Sequence, residues 1–155
     1  MPSVCRSLML AALVAVALPS GAAAVPQDHP DSRVDLVQIQ LLVPAKVTLG
    51  KAFLIVDEVE NQGTTMAFQT VTGFYLSLDD VLDDSDVVVA AWRVRQLGAN
   101  QSDSTHTPVT LKLDIKPGDY YLLAVADAKK QIEERTRGNN IRAVRITILP
   151  AEPKK

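Results

Sequence analysis

Apolar and polar residues alternate along most of the chain with a period of two, which is the pattern of half-buried β-strands. In residues 34–41, for example, Val37, Ile39 and Leu41 fall on one face. No stretch has a convincing helical period of 3.6 residues. The other segments that this pattern predicts as strands are residues 47–60, 70–77, 87–94, 106–113, 120–126 and 141–149. The chain is therefore expected to form about seven short strands separated by turns.

This arrangement predicts an all-β fold, an immunoglobulin-like antiparallel β-sandwich of about seven strands. An up-and-down barrel remains an alternative. Tyr120 begins the penultimate strand, where such folds place a tyrosine corner, although tyrosine also has a high intrinsic strand propensity. Asp57 falls on the inward face of the second strand, and a β-bulge that changes the register would explain it.

The first 24 residues have the three-part layout of a secretory signal peptide. Arg6 precedes the apolar run SLMLAALVAVAL, and small residues at 22–24 predict cleavage after Ala24. Twelve apolar residues are too few to span a bilayer, which takes about 20. We therefore predict an exported protein, periplasmic or extracellular, without a membrane anchor after cleavage. The expected organisation is a signal peptide (1–24), a flexible leader (25–33), one domain (34–149) and a disordered tail (150–155).

Composition narrows the classes of function. The single cysteine, Cys5, lies in the predicted signal peptide, so the mature chain would have no disulfide, no thiol chemistry and no cysteine zinc site. With 16 basic and 18 acidic residues and no basic patch, nucleic acid is not an expected partner. No zinc-protease, nucleophile-elbow, phosphate-loop or dinucleotide motif occurs. The sequence gives no reason to expect an enzyme.

The segment 79–86 carries five carboxylates within eight residues. Calcium ions prefer such oxygen ligands, and Asp79, Asp83 and Asp86 are the candidate Ca²⁺ ligands. The alternative is a set of solvated turns, because aspartate closes turns by accepting hydrogen bonds from nearby backbone amides. The spacing is not that of an EF-hand.

Trp92 is the only tryptophan, and Arg93 and Arg95 flank it. This combination is typical of an interaction hot spot, and Trp92 with Arg93 form the candidate binding surface. Trp92 also shares a strand face with Val88, Ala90 and Val94, which favours a core position.

Three blocks of sequence, in this order, resemble the CARDB family, the cell-adhesion-related domain found in bacteria. They are VENQGT (59–64), FYLSLDDVLDDSD (74–86) and PGDYYLLAVADAKKQIEERTRGNN (117–140). The resemblance covers residues 34–149 and implies a secreted immunoglobulin-like module of extracellular recognition or scaffolding. Family members usually have Asn and Glu where this chain has Thr136 and Arg137, which puts an acidic ligand cluster in that loop in doubt.

The positions that match the family and are expected to have structural roles are Asn61, Gly63, Tyr120, Asn139 and Asn140. Asn61 and Gly63 would form the turn after the second strand. The amides of Asn139 and Asn140 would pin the long connection before the last strand to the domain.

The function expected from these observations is a secreted binding or adhesion module that recognises a protein or a glycan, or a second copy of itself. One alternative is a structural module that Ca²⁺ stabilises through the Asp79–Asp86 loop. Another is a periplasmic assembly or chaperone-like accessory protein. No cofactor other than Ca²⁺ is suggested.

Overall fold

The computed structural model describes residues 28–153, and the predicted signal peptide lies outside this range. The described residues form eight strands: β1 (Leu36–Leu42), β2 (Lys46–Thr48), β3 (Ala52–Asn61), β4 (Thr70–Ser77), β5 (Val87–Val94), β6 (Gln101–Thr110), β7 (Gly118–Val125) and β8 (Ile141–Leu149). Within residues 28–153 no helix is long and apolar enough to cross a bilayer. The predicted all-β class is confirmed.

The strands form two sheets that pack as a sandwich. One sheet has the order β1-β3-β6 and the other the order β2-β8-β7-β4-β5. All pairs are antiparallel except β2 with β8, which is parallel and aligns Val47 with Ile148. The predicted antiparallel sandwich is thus confirmed, with this one short parallel pair in addition. The chain leaves the first sheet after β1, passes Pro44 and joins the second sheet beside β8 for three residues.

Strand β6 begins earlier than the pattern predicted. It pairs with β3 without interruption from Ala52 opposite Thr110 to Asn61 opposite Gln101. The turn before it is closed by Asn100, whose φ of 57° is in the left-handed region that asparagine tolerates. Leu113, the last residue of the predicted strand 106–113, is exposed beyond the end of the observed strand.

The buried interior consists of two hydrophobic clusters with polar side chains between them. The larger cluster includes Ile55 and Phe74, and the smaller includes Val59 and Ala126. The strand positions between the two clusters hold the buried residues Gln38, Asp57, Thr72 and Thr105. A buried polar layer of this kind costs free energy unless its groups are hydrogen-bonded.

Asp57 is the charged member of this layer. It is 1% exposed, on the inward face of β3 between Ile55 and Val59. Because β3 pairs regularly with β6, a bulge in β3 does not explain its position. The bulge is in the neighbouring strand β1, between Gln38 and Gln40, and the Gln38 side chain donates a hydrogen bond of 2.7 Å to Asp57 Oδ1. Burial raises the pKa of Asp57 to about 7.

The turn after β3 depends on Asn61 and Gly63. The Asn61 side chain donates to the carbonyls of Thr65 and Leu97 and accepts from the Gly63 amide. A Cβ on Gly63 would lie 2.1 Å from the carbonyl oxygen of Arg33. Only glycine allows this close approach of two backbone segments.

Tyr120 lies at the start of β7. Its hydroxyl donates a 3.0 Å hydrogen bond to the carbonyl of Lys116, four residues upstream. This bond has the geometry of a tyrosine corner.

Candidate functional site

The connection between β7 and β8, residues 126–140, is organised around the buried carboxylate of Asp127. One carboxylate oxygen accepts from the Thr70 hydroxyl at 2.5 Å and from the Gln131 amide. The other accepts from the Ile132 amide and pairs with Arg137 at 3.0 Å. Asp127 thus fixes a loop that has no regular secondary structure. We call residues 126–140 the connecting loop.

Glu134 is the second buried carboxylate of the connecting loop. It accepts hydrogen bonds from the Asn140 side chain and from the Leu36 amide, both at 2.9 Å. Arg137 Nη1 lies 3.1 Å from it. Burial raises the pKa of Glu134 to about 7, against the opposing effects of these hydrogen bonds and of the arginine charge.

Arg137 therefore joins Asp127 and Glu134 through its two terminal nitrogens. Its side chain is only 11% exposed, and both carboxylates are fully buried. A planar guanidinium suits this bridging geometry better than an ammonium group. Arg137 supplies the positive charge that both buried carboxylates contact.

Asn139 and Asn140 hold the connecting loop to the domain. The Asn139 side chain donates to Asp35 at 2.9 Å, and the Asn139 carbonyl accepts from the Gln38 amide. The Asn140 side chain donates to Glu134 and to the Ala126 carbonyl. These contacts are of the structural kind that the sequence suggested for both residues.

The described part of the predicted flexible leader, residues 28–33, is hydrogen-bonded to the same loop. The His29 amide donates to the Glu134 carbonyl, and the Ser32 hydroxyl donates to the Glu133 carbonyl at 2.8 Å. Asp28 accepts from the Arg137 amide. The leader is thus anchored from residue 28 onward by partners about a hundred residues away in sequence.

The segment between β4 and β5, residues 78–86, is called here the acidic loop. It crosses the outer face of the five-stranded sheet. Leu78 and Asp79 lie beside Tyr121 and Arg145, whereas Leu82 lies beside Ile141 toward the other end of β8.

The three candidate Ca²⁺ ligands of the acidic loop accept hydrogen bonds from the loop itself. Asp79 accepts from the Val81 amide at 2.9 Å, and Asp83 accepts from the amide and hydroxyl of Ser85. Asp86 accepts from the Asp83 amide. The hydrogen bonds from Ser85 lower the pKa of Asp83. In residues 28–153 no three His, Cys, Asp or Glu side chains converge into a ready metal site.

A groove of about 470 Å³ separates the acidic loop from the connecting loop. Tyr75, Leu82 and Ile141 form its apolar wall. Asp83 and Asp84 face Lys130 and Arg137 across it. The two acidic side chains thus have basic neighbours on the opposite wall of the groove.

Strand β5 is an edge of the five-stranded sheet, and the candidate binding residues Trp92 and Arg93 lie on it. Its pairing with β4 aligns Thr72 with Trp92 and Phe74 with Ala90, so Trp92 and Ala90 have the inward orientation. Trp92 is nevertheless 38% exposed. It lies at the open side of the sandwich, so the core interpretation of Trp92 was wrong.

A bulge separates Val88 from this inward face. Phe74 is opposite Ala90, but Tyr75 is opposite Val88, so Val89 is the extra residue. Val88 consequently turns to the outer face and is 61% exposed. Val87 is exposed as well, so this edge has apolar surface on both faces, from Val88 on the outer face and from Val87 and Trp92 on the inward face.

The other three sheet edges carry features that block pairing with another strand. β2 has only three residues, and β1 has a bulge at Ile39. β6 contains Pro108 and the charged Asp103. β5 has six consecutive uncharged apolar residues, VVVAAW (87–92).

Sequence reasoning missed several residues of these sites. Thr70 and Asp35 bind the connecting loop from positions about 57 and 104 residues away, and nothing local in the sequence indicates this. The bridging role of Arg137 had no local signal either, because the i, i+3 spacing of Glu134 and Arg137 predicts a contact only on a helix, and the connecting loop is not helical. The apolar run of β5 was visible, but its bulge was not.

Fold and site together define an immunoglobulin-like β-sandwich module with one exposed apolar strand edge. The CARDB family model matches residues 33–144. The chain therefore belongs to the CARDB family, a family of non-catalytic modules. No curated protein matches the chain.

Solved structures show the same fold. A crystal structure of a CARDB domain from Pyrococcus furiosus, in complex with di-metal ions, is 19% identical with a TM-score of 0.59, covering 77% of this chain and 96% of that domain. Its solution structure is 18% identical with a TM-score of 0.59, covering 75% and 95%. β-Glucosidase 3B from Thermotoga neapolitana is 14% identical with a TM-score of 0.52 over 74% of this chain. This chain spans only 16% of that enzyme, so the likeness concerns the fold of one part.

Proposed function

We propose that this protein is an exported binding module that recognises a protein partner by pairing through strand β5. The observation that carries the proposal is the apolar edge of β5, which no strand of residues 28–153 covers and which leaves Val88 and Trp92 exposed. An extended partner segment can add to such an edge through backbone hydrogen bonds, and neighbouring side chains supply specificity. The signal-peptide pattern of residues 1–24 supports a location in the periplasm or outside the cell.

A protein partner suits this edge better than a glycan. A strand edge offers backbone donors and acceptors at a regular spacing, which another polypeptide backbone matches. Beside it lie a tryptophan and an arginine, residue types enriched among the hot spots of protein interfaces. A periplasmic assembly factor would use the same edge, so the identity of the captured partner distinguishes adhesion from assembly.

A photo-crosslinking residue in place of Val88 tests the proposal. We expect ultraviolet irradiation of cells that secrete this variant to yield a discrete protein adduct. The same residue in place of Leu113, which is also exposed but lies in a loop, is the matched control and should yield none. Trp92→Ala in the Val88 background should lower adduct yield at least tenfold, since losing a hot-spot side chain costs about 2 kcal/mol of binding. Equal adducts at both positions, or none at Val88, would contradict the proposal.

Stabilisation by Ca²⁺ at the acidic loop is a second proposal, supported by the five clustered carboxylates and by the di-metal complex of the Pyrococcus domain. The residues present do not form a preassembled site, because Asp79, Asp83 and Asp86 accept hydrogen bonds from loop amides. A cation would have to reorganise the loop. Weak binding follows, with a dissociation constant of about 10⁻⁴ to 10⁻³ M as in other extracellular modules.

Thermal melts in EDTA and in 10 mM CaCl₂ test this second proposal. Binding of this strength adds about 1.4 to 2.7 kcal/mol, and the midpoint should rise by roughly 5 to 10 °C. The double variant Asp79→Asn, Asp83→Asn should lose the rise, whereas Asp114→Asn, outside the loop, should keep it. A midpoint that is insensitive to Ca²⁺, or a rise that survives in the double variant, would show that the acidic loop is a set of solvated turns and not a Ca²⁺ site.

A further inference from the structure

We propose that the strand that pairs with β5 is the β5 strand of a second copy of this chain, in antiparallel orientation. This inference rests on the proposed function of the β5 edge and names its partner. Such pairing joins the two five-stranded sheets into one continuous sheet with a two-fold axis perpendicular to it.

The distribution of charge along β5 selects the antiparallel orientation. Asp86, the last residue of the acidic loop, directly precedes the first residue of the strand. Arg93 lies at its other end, whereas Arg95 pairs with Asp103 of its own chain. In an antiparallel pair the basic end of one protomer lies beside the acidic end of the other, and this happens twice because of the symmetry. A parallel pair would place like charges side by side, which is unfavourable.

The side-chain directions fit the same arrangement. Arg93 is paired with Val71 and lies on the outer face of the sheet, next in sequence to the inward-facing Trp92. The acidic loop also lies on the outer face. Arg93 is exposed and forms no ion pair with any residue of the described range. Asp86, which directly precedes β5, is partly exposed, so both charges are accessible to a second copy.

Small residues lie at the centre of the strand. With Ala91 at the two-fold axis, Arg93 of one protomer lies opposite Val89 of the other, three residues from Asp86. Ala90 and Ala91 allow close approach of the two strands, and the exposed apolar surface of Val87, Val88 and Trp92 loses contact with water. The bulge at Val89 shortens the regular part of the edge to residues 90–94, so the dimer should be of modest affinity.

A charge-swap experiment in analytical ultracentrifugation tests the dimer over about 10 to 500 µM. We expect the unmodified protein to dimerise in this range. Arg93→Glu alone and Asp86→Lys alone should each dimerise much more weakly than the parent, because each variant brings like charges together at both ends of the strand pair. An equimolar mixture of the two variants should dimerise again, since both contacts then join opposite charges. A monomeric mixture together with a dimeric parent would overturn the antiparallel β5 pair.

A symmetric cysteine provides a second measurement that does not depend on charge. In a background in which Cys5 is replaced by serine, Ala91→Cys should oxidise to a disulfide-linked dimer, since residues paired across strands are close enough for the bond. Leu113→Cys, exposed but remote from the edge, should remain largely monomeric. A failure of Ala91→Cys to cross-link, with a parent that is monomeric at every concentration, rejects self-pairing.

The outcomes separate this inference from the proposed function. If self-pairing is rejected but the photo-crosslinker at Val88 still captures a different protein, β5 is a binding edge for a foreign partner. If neither the dimer nor an adduct at Val88 is found, both proposals are wrong.

Discussion

Arg137→Met is expected to lower the free energy of unfolding by about 3 to 5 kcal/mol at pH 8, because it leaves two buried carboxylates without their positive partner. Asp127 and Glu134 are fully buried, and Arg137 bridges them. For a domain of this size the midpoint of a thermal melt should fall by roughly 10 to 20 °C. Urea denaturation at pH 8 measures the effect directly. Protonation of Glu134 would remove its buried charge and so offset part of the lost stability. At pH 8 this offset is small, because Glu134 has a pKa of about 7 and is mostly ionised.

Two further variants show whether the effect belongs to the bridge. Arg137→Lys keeps the charge but cannot reach both carboxylates in a planar fork, and its loss should be intermediate. Arg93→Ala removes an exposed arginine without an ion pair in the described range and should change stability by no more than about 0.5 kcal/mol. If Arg137→Met costs no more than Arg93→Ala, the bridge is not what holds the connecting loop.

Asp57→Asn is expected to stabilise the protein at pH 8 and to leave its stability at pH 4 unchanged. Burial raises the pKa of Asp57 from 3.8 in the unfolded chain to about 7 in the folded protein. Between these values the folded state binds more protons than the unfolded state, so the free energy of unfolding falls as pH rises from about 4 to about 7. Three pKa units correspond to a penalty of up to about 4 kcal/mol above pH 7.

Asparagine keeps the shape of Asp57 and can accept the same hydrogen bond from Gln38, but it has no charge to desolvate. Urea denaturation of both proteins from pH 4 to pH 8 should show two curves that diverge as pH rises. Glu58 is the charged neighbour that raises the pKa of Asp57 further. The raised pKa of Glu134 also makes the free energy of unfolding fall over the same pH range. Asp57→Asn should therefore reduce the pH dependence without removing it. A variant that is less stable than the parent at pH 8 would show that the carboxylate itself is needed.

The period-two pattern predicted the sandwich because each strand has one buried face, and this pattern is local. It placed β4, β5 and β8 at their observed bounds. It failed at β2. The three residues of β2 lie in the other sheet from β1, because they pair with β8, about a hundred residues away in sequence. It also misplaced β6, whose start depends on its register with β3 rather than on its own alternation.

The sites show the same division between local and long-range information. The sequence shows which loop residues are aspartates. Whether their oxygens accept hydrogen bonds from loop amides depends on the turn that the loop adopts. Trp92 was assigned a face by alternation, and that face was right. Its exposure could not be inferred, because it depends on how far the opposite sheet extends over an edge strand. The bulge that moved Val88 to the other face is similarly invisible in a period of two.

The positions of the first and last strands have a mechanical consequence. β1 begins at the end of the sandwich that contains the connecting loop, where the Leu36 amide binds Glu134. β8 ends at the opposite end, where the Leu49 amide binds the Leu149 carbonyl. Tension applied between these two points would therefore run along the direction of the strands. It would load the hydrogen bonds of the terminal strands in shear, all at once, rather than opening them one after another. A domain connected in this way is suited to transmit force between whatever holds its two ends.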